Sequence, residues 1–121
     1  MRNFREYPAW NEAIDFCTKI YQITKFYPES EKYGLISQMK RAVVSIPSNI
    51  AEGSAKTSST EFSRFLEIAL GSSYEIETQL IISHELGYIA KDVFNEFIIS
   101  SHSIQAQLSG LIKTLKGEVV F

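Results

Sequence analysis

The side chains whose types and spacing could do chemistry here are polar groups on two helical stretches. Arg41, Ser45, Asn49 and Glu52 fall at i, i+4, i+8 and i+11, one continuous stripe on a helix. Ser72, Glu75 and Gln79 fall at i, i+3 and i+7 on a later segment. Apolar residues flank both stripes, so the pattern points to two helices that hydrogen-bond to each other inside a bundle. Arg41 neutralises Glu52 or Glu75 only if the fold brings them within reach. A buried seam of this kind fixes one helix alignment, because each partner left unpaired costs about 1–3 kcal/mol. The alternative is a Glu-rich seam that lines a groove or a ring interior and binds a small molecule or a metal.

Enzyme chemistry finds little support. A di-iron carboxylate centre uses Glu-x-x-His on two helices plus two further glutamates. Glu52, Glu75 and Glu77 have no histidine three residues on, and neither His84 nor His102 has a neighbour at ligand spacing. There is no Gly-x-Ser-x-Gly turn, and Gly71-Ser72-Ser73 lies mid-helix, where a strained nucleophile elbow does not form. No glycine loop suited to phosphate is present. No catalytic residue, cofactor or metal site is therefore expected.

Charge narrows the partners. With 12 basic and 14 acidic side chains the net charge is −2, which gives no global pull toward nucleic acid. Lys40, Lys56, Arg64, Lys113 and Lys116 are the candidates for a local rim of cations. Nucleic-acid contact through such a rim would be weak and salt-sensitive. No apolar run approaches the ~20 residues of a membrane helix, and Met1 to Pro8 has no apolar stretch behind it to make a secretory signal. The single cysteine, Cys17, excludes an internal disulfide and a cysteine-based zinc site. Cytoplasmic residence and no membrane partner are the expectations.

Four helices must position these groups, in one domain of 121 residues that is 45% hydrophobic. The periodicity predicts them at about 8–26, 33–53, 59–86 and 92–116, with no strand. Pro8 suits the first helical position. Trp10, Ile14, Cys17 and Tyr21 are spaced 4, 3, 4 and form the expected core stripe of the first helix, with Ala13, Phe16, Ile20 and Ile23 as a second apolar stripe beside it. Cys17 is expected in the core. On the second helix, Leu35, Met39, Ala42, Ile46, Ile50 and Gly53 mark the apolar side. Pro47 interrupts it, and a kinked continuous helix is favoured because both stripes keep phase across the proline. The competing reading stops the helix there and restarts it, with Asn49 and Glu52 as a capping box.

Ser58 and Glu61 have capping-box spacing at the start of the third helix. Phe62, Phe65 or Leu66, Ala69, Ser73, Ile76, Leu80 and Ser83 trace its core edge. Gly71, flanked by small residues, suggests a close helix–helix approach. Gly87 is placed to stop the helix as a left-handed residue, and His84 is expected at the surface. Asp92 is expected to cap the fourth helix. Phe97, Ser101, Ile104, Leu108, Leu111 and Leu115 line that helix, and Glu118 to Phe121 forms a loose or docked tail. Short connections then give an antiparallel up-down-up-down four-helix bundle.

Several runs also match a known family: Tyr33-Gly34-Leu35, Gln38, Arg41-Ala42, Phe65-Leu66, Gly71-Ser72, Glu75, Glu77-Thr78-Gln79 and Leu86-Gly87-Tyr88. The most specific is Ser45-Ile46-Pro47-Ser48-Asn49-Ile50-Ala51-Glu52-Gly53. With Trp10, Tyr21 and Ala69 they span nearly the whole chain. The chain resembles the bacterial four-helix-bundle family of proteins encoded in intervening sequences of 23S rRNA genes. That fold group is shared with accessory proteins of diversity-generating retroelements. The resemblance implies an antiparallel bundle that assembles into a ring, typically a homopentamer, and does not imply an enzyme. The retroelement relatives look like basic proteins that engage a reverse transcriptase and nucleic acid. This chain departs from them in being slightly acidic.

Self-association is also expected from the residues alone. Phe16, Ile20 and Ile23, then Leu70, Tyr74 and Ile81, then Phe94, Ile98 and Ile99 exceed what one apolar stripe per helix supplies. Left in water they would form patches larger than soluble monomers carry.

Overall fold

Several helix ends fall where the sequence supplies a local signal. The computed structural model describes residues 2–117, so the expected tail from Glu118 to Phe121 lies outside the described residues. Four α-helices follow one another: α1 (Pro8–Thr24), α2 (Leu35–Ser54), α3 (Ser59–Glu85) and α4 (Lys91–Leu115). Short 3-10 turns at Phe4–Glu6 and Glu29–Glu31 complete the order, and no strand occurs among the described residues. Pro8 opens α1, where a missing N–H costs nothing. The Ser58 hydroxyl accepts the Glu61 N–H at 3.1 Å and caps α3. At the other end of α3, Gly87 adopts φ +79°, and Tyr88 N–H donates back to the Ser83 carbonyl at 2.9 Å. That is the left-handed stop which glycine makes without steric cost.

Two boundaries depart from expectation. Ala90, not Asp92, is the N-cap of α4; it has no side-chain cap bond, and Asp92 lies in the first turn, where its charge still suits the helix dipole. α2 runs unbroken past Pro47, which is buried. Asn49 and Glu52 are therefore helix-interior residues, as the in-phase stripes suggested.

α1 packs on α2 and α4, α3 packs on the same two, and α1 and α3 stand diagonally opposite. The Tyr7 ring meets Phe62 at one end, and Tyr27 meets Tyr88 at the other, so neighbouring helices are antiparallel. This is a four-helix bundle. Its core takes Met39, Ala42, Ile46 and Ile50 from α2; Phe62, Leu66, Ala69, Ile76 and Leu80 from α3; and Phe97, Ile104 and Leu108 from α4.

α1 corrects the expectation. Its core face is Ala9, Ala13, Phe16 and Ile20, whereas Ile14 and Tyr21 are exposed and Trp10 and Cys17 half-buried. Both stripes are apolar, so periodicity could not choose between them. Ala9 and Ala13 lie on the buried face with Phe16 and Ile20.

The glycines divide in a similar way. A Cβ on Gly53 would lie 2.6 Å from the Phe65 Cβ and 3.0 Å from a Phe62 ring carbon, so this glycine is where α2 and α3 approach closely. Gly71, expected to do that, is exposed, and its Cβ would meet nothing within 4 Å.

Candidate functional site

The α2–α3 interface carries part of the polar seam. Ser45 projects from α2 and Ser72 from α3, and their Oγ atoms lie 2.8 Å apart in a hydrogen bond. Asn49, one turn on, donates Nδ2–H to both the Ser45 carbonyl (2.8 Å) and the Ser45 Oγ (2.9 Å). Three half-buried side chains from two helices thus form one connected cluster, which pins the axial alignment of α2 and α3. Gln79 is buried two turns above Ser72, and its Oε1 has no hydrogen-bond partner.

The rest of the seam does not join them. Arg41 is exposed and donates to Gln38 Oε1 at 3.3 Å, not to Glu52 or Glu75. Glu52 and Glu75 are both exposed. The reason is helical phase. α2 turns Arg41 and Glu52 outward, while Gly53 and Ser45 take the positions against α3. Among the described residues, no three His, Cys, Asp or Glu side chains converge as metal ligands.

A second polar link escaped the sequence reading. Glu77 Oε1 on α3 accepts from Gln105 Nε2 on α4 at 2.8 Å and lies 3.2 Å from His102 Nε2. Gln105 also donates to Ser101 Oγ at 3.0 Å. Glu12 on α1 likewise accepts from Ser103 (2.9 Å) and Gln107 (2.6 Å) on α4. Paired residues on separate helices leave no spacing signal, so only the fold reveals them. At the far end, the Tyr88 hydroxyl donates to Glu31 Oε2 at 2.8 Å, and this bond, with the carboxylate charge nearby, raises the Tyr88 pKa. Burial pushes up the Tyr27 hydroxyl and the Cys17 thiol. His84 is half-buried and stacks on Phe94 at 4.7 Å between ring centroids.

The cations expected at a rim separate into two places. Lys40 lies over the Tyr21 ring, 4.9 Å from its centroid, toward the end of the bundle where α1 finishes and α2 begins. Lys56, Arg64, Lys113 and Lys116 gather at the end where α2 finishes, α3 begins and α4 finishes. Arg2 joins them, donating to the Lys56 carbonyl at 2.7 Å, and Lys116 pairs with Glu67 at 2.7 Å. An open surface depression of about 680 Å³ is lined there by Arg2, Ser54, Ala55, Lys56 and Thr57.

The run from Ser45 to Gly53 now has a structural meaning, since it supplies the serine and the close-contact glycine that join α2 to α3, and the asparagine that holds that serine. A family model described as "23S rRNA-intervening sequence protein" matches residues 5–110. The chain belongs to that family. Among solved structures it is similar to a protein of unknown function from the S23 ribosomal protein family of Bacteroides thetaiotaomicron. The two share 26% identity with a TM-score of 0.81, over 87% of this chain and 98% of that one. Among curated proteins, none matches the sequence. The descriptions of the intervening-sequence family and of its S23 neighbour name no enzymatic activity. No helix among the described residues is long and apolar enough to cross a membrane.

Proposed function

We propose that this intervening-sequence family member is a non-catalytic scaffold: a cytoplasmic, single-domain bundle that closes into a homo-oligomeric ring. The observation that carries this reading is the outward face of α3, where Ile68, Tyr74, Ile81 and Ile82 are all exposed. Covering such a face releases about 25 cal/mol per Å² of apolar surface, a strong drive to associate. The family resemblance supplies the number five. The cationic end of the bundle supports a subsidiary role, in which a ring repeats Arg2, Lys56, Arg64 and Lys113 around its axis and holds nucleic-acid phosphates weakly. RNA or a retroelement reverse transcriptase is the partner class that the resemblance suggests. Exposure of Glu52 and Glu75 argues against a carboxylate ligand site in the seam. Size exclusion coupled to light scattering at micromolar concentration tests the scaffold. Five chain masses are expected; the mass of one 13.7 kDa chain would overturn association, and a dimer would overturn the ring.

A further inference from the structure

Two surface strips differ in shape and charge. On α3, Ile68 is 50% exposed, Tyr74 53%, Ile81 44% and Ile82 43%, with the bare Gly71 and the carboxylate of Glu75 between them. A helix-interior glycine is less favourable than alanine. Gly53 recovers that cost by close packing within the chain, and Gly71 has nothing within 4 Å to recover it from. On the other side of the bundle, Trp10, Ile14, Cys17 and Tyr21 run along one face of α1 at 4, 3, 4 spacing. Lys40 of α2 lies over Tyr21 at the edge of that strip, and the exposed Val44 is one turn from Lys40 on the same face.

Resting on the scaffold reading, we propose that the α3 strip of one copy packs head to tail on the α1/α2 strip of the next. Gly71 admits the neighbouring helix, and Glu75 faces Lys40. Charge selects this pairing over α3 against α3. Two α3 strips crossing at their midpoint would bring Glu75 against Glu75, a repulsive contact, whereas Lys40 complements it. Heights agree as well. The Ser45–Ser72 bond levels α2 with α3, and the Lys40–Tyr21 contact levels α2 with α1. At about 1.5 Å per residue, Lys40 lies about 7.5 Å above the Ser45–Ser72 level, Glu75 about 4.5 Å and Cys17 about 1.5 Å. In a ring whose axis follows the helices, Glu75 of one copy therefore stands level with the segment between Cys17 and Lys40 of the next. Contacts between two unlike strips repeat around an axis, which is the interface type a closed ring needs.

Cys17 provides the test. Glu75→Cys in the full chain, treated with a short bismaleimide, should give a ladder of covalent multimers that disappears in Glu75→Cys/Cys17→Ser. Covalent dimers that persist without Cys17 would mean α3 meets α3, and would overturn the pairing. A multimeric mass by light scattering with no cross-link would also overturn the pairing while leaving the ring intact; a monomeric mass would overturn both. As a second arm, Lys40→Glu and Glu75→Lys should each raise the dissociation constant about tenfold, and the double variant should restore it. Circular dichroism checks that each variant remains helical. Failure of the double to recover, with both singles weakened and folded, would overturn the ion pair.

Discussion

Gly53 faces Phe65 so closely that an added methyl would sit 2.6 Å from the Phe65 Cβ. Backbone and Cβ atoms cannot move aside as a flexible side-chain end can, so α2 and α3 would have to separate. Helix propensity alone predicts that Gly53→Ala stabilises by about 1 kcal/mol. The contact reverses the sign. Gly53→Ala should lower stability by about 1–3 kcal/mol in urea unfolding, the usual cost of overpacking. An unchanged or higher midpoint would mean the helices part without strain.

The second prediction concerns the serine–asparagine cluster. Ser72→Ala removes the one interhelical hydrogen bond that Ser45 makes and should cost about 0.5–1.5 kcal/mol. Asn49→Leu loses two bonds and leaves Ser45 with fewer partners, so it should cost at least as much. Glu96→Leu, on an exposed position of α4, should change little. Thermal melts resolve the difference, since about 1 kcal/mol moves the midpoint by about 3–5 °C in a domain of this size. Equal shifts for all three would show that the cluster is merely hydrated.

Much of this was legible in the chain. Helix number and order follow from apolar periodicity. The ends follow from Pro8, Ser58 and Gly87, whose conformational preferences act locally. What periodicity could not decide was which of two apolar stripes on α1 faces inward, because Phe16 and Ile20 look no more core-like in sequence than Ile14 and Tyr21. The seam was half legible for a related reason. Spacing put Arg41, Ser45, Asn49 and Glu52 on one side of α2, but Arg41 and Glu52 share the outer edge of that stripe and are exposed, while Ser45 and Asn49 share its half-buried inner edge. Of these four, Ser45 bonds across to α3, and Asn49 supports it from within α2. The close approach expected at Gly71 falls instead at Gly53, because the surroundings of each glycine are a property of the packed bundle.

High pH should weaken the fold. Burial raises the Tyr27 hydroxyl above its ordinary value, and the bond to Glu31 does the same for Tyr88. A group whose pKa rises on folding binds its proton more tightly in the native state. Its contribution is present below the unfolded value of about 10 and is lost as pH climbs through the native one. Melting temperature should therefore decline above about pH 10, and Tyr27→Phe should flatten that decline. A wild-type melt that stays level through this range would contradict the assignment.

Phosphate binding, where it occurs, should localise to one end of the bundle. Titration of fluorescent single-stranded RNA at several salt concentrations should show weak affinity that falls steeply with salt. Lys56→Ala and Lys113→Ala should each reduce the salt slope by about one. Lys40→Ala, toward the opposite end of the bundle, should leave the slope unchanged. Association that survives high salt, or an equal loss from Lys40→Ala, would remove the cationic end from the account.

Gly71→Ala separates folding from assembly within one substitution. Inside a single chain the new methyl meets open space, so the variant gains helix propensity and should stabilise the isolated bundle by about 1 kcal/mol. In the assembled protein the same methyl stands where a neighbouring helix is expected to approach, and overpacking there should loosen the contact. Dilution should expose the opposition. Urea unfolding at low concentration, where the chains are apart, should show a more stable variant, while light scattering should show dissociation beginning at a higher concentration than in the wild type. If Gly71→Ala assembled as tightly as the wild type, the bare surface of α3 would not be a site of close approach, and the glycine would have no packing role in either state.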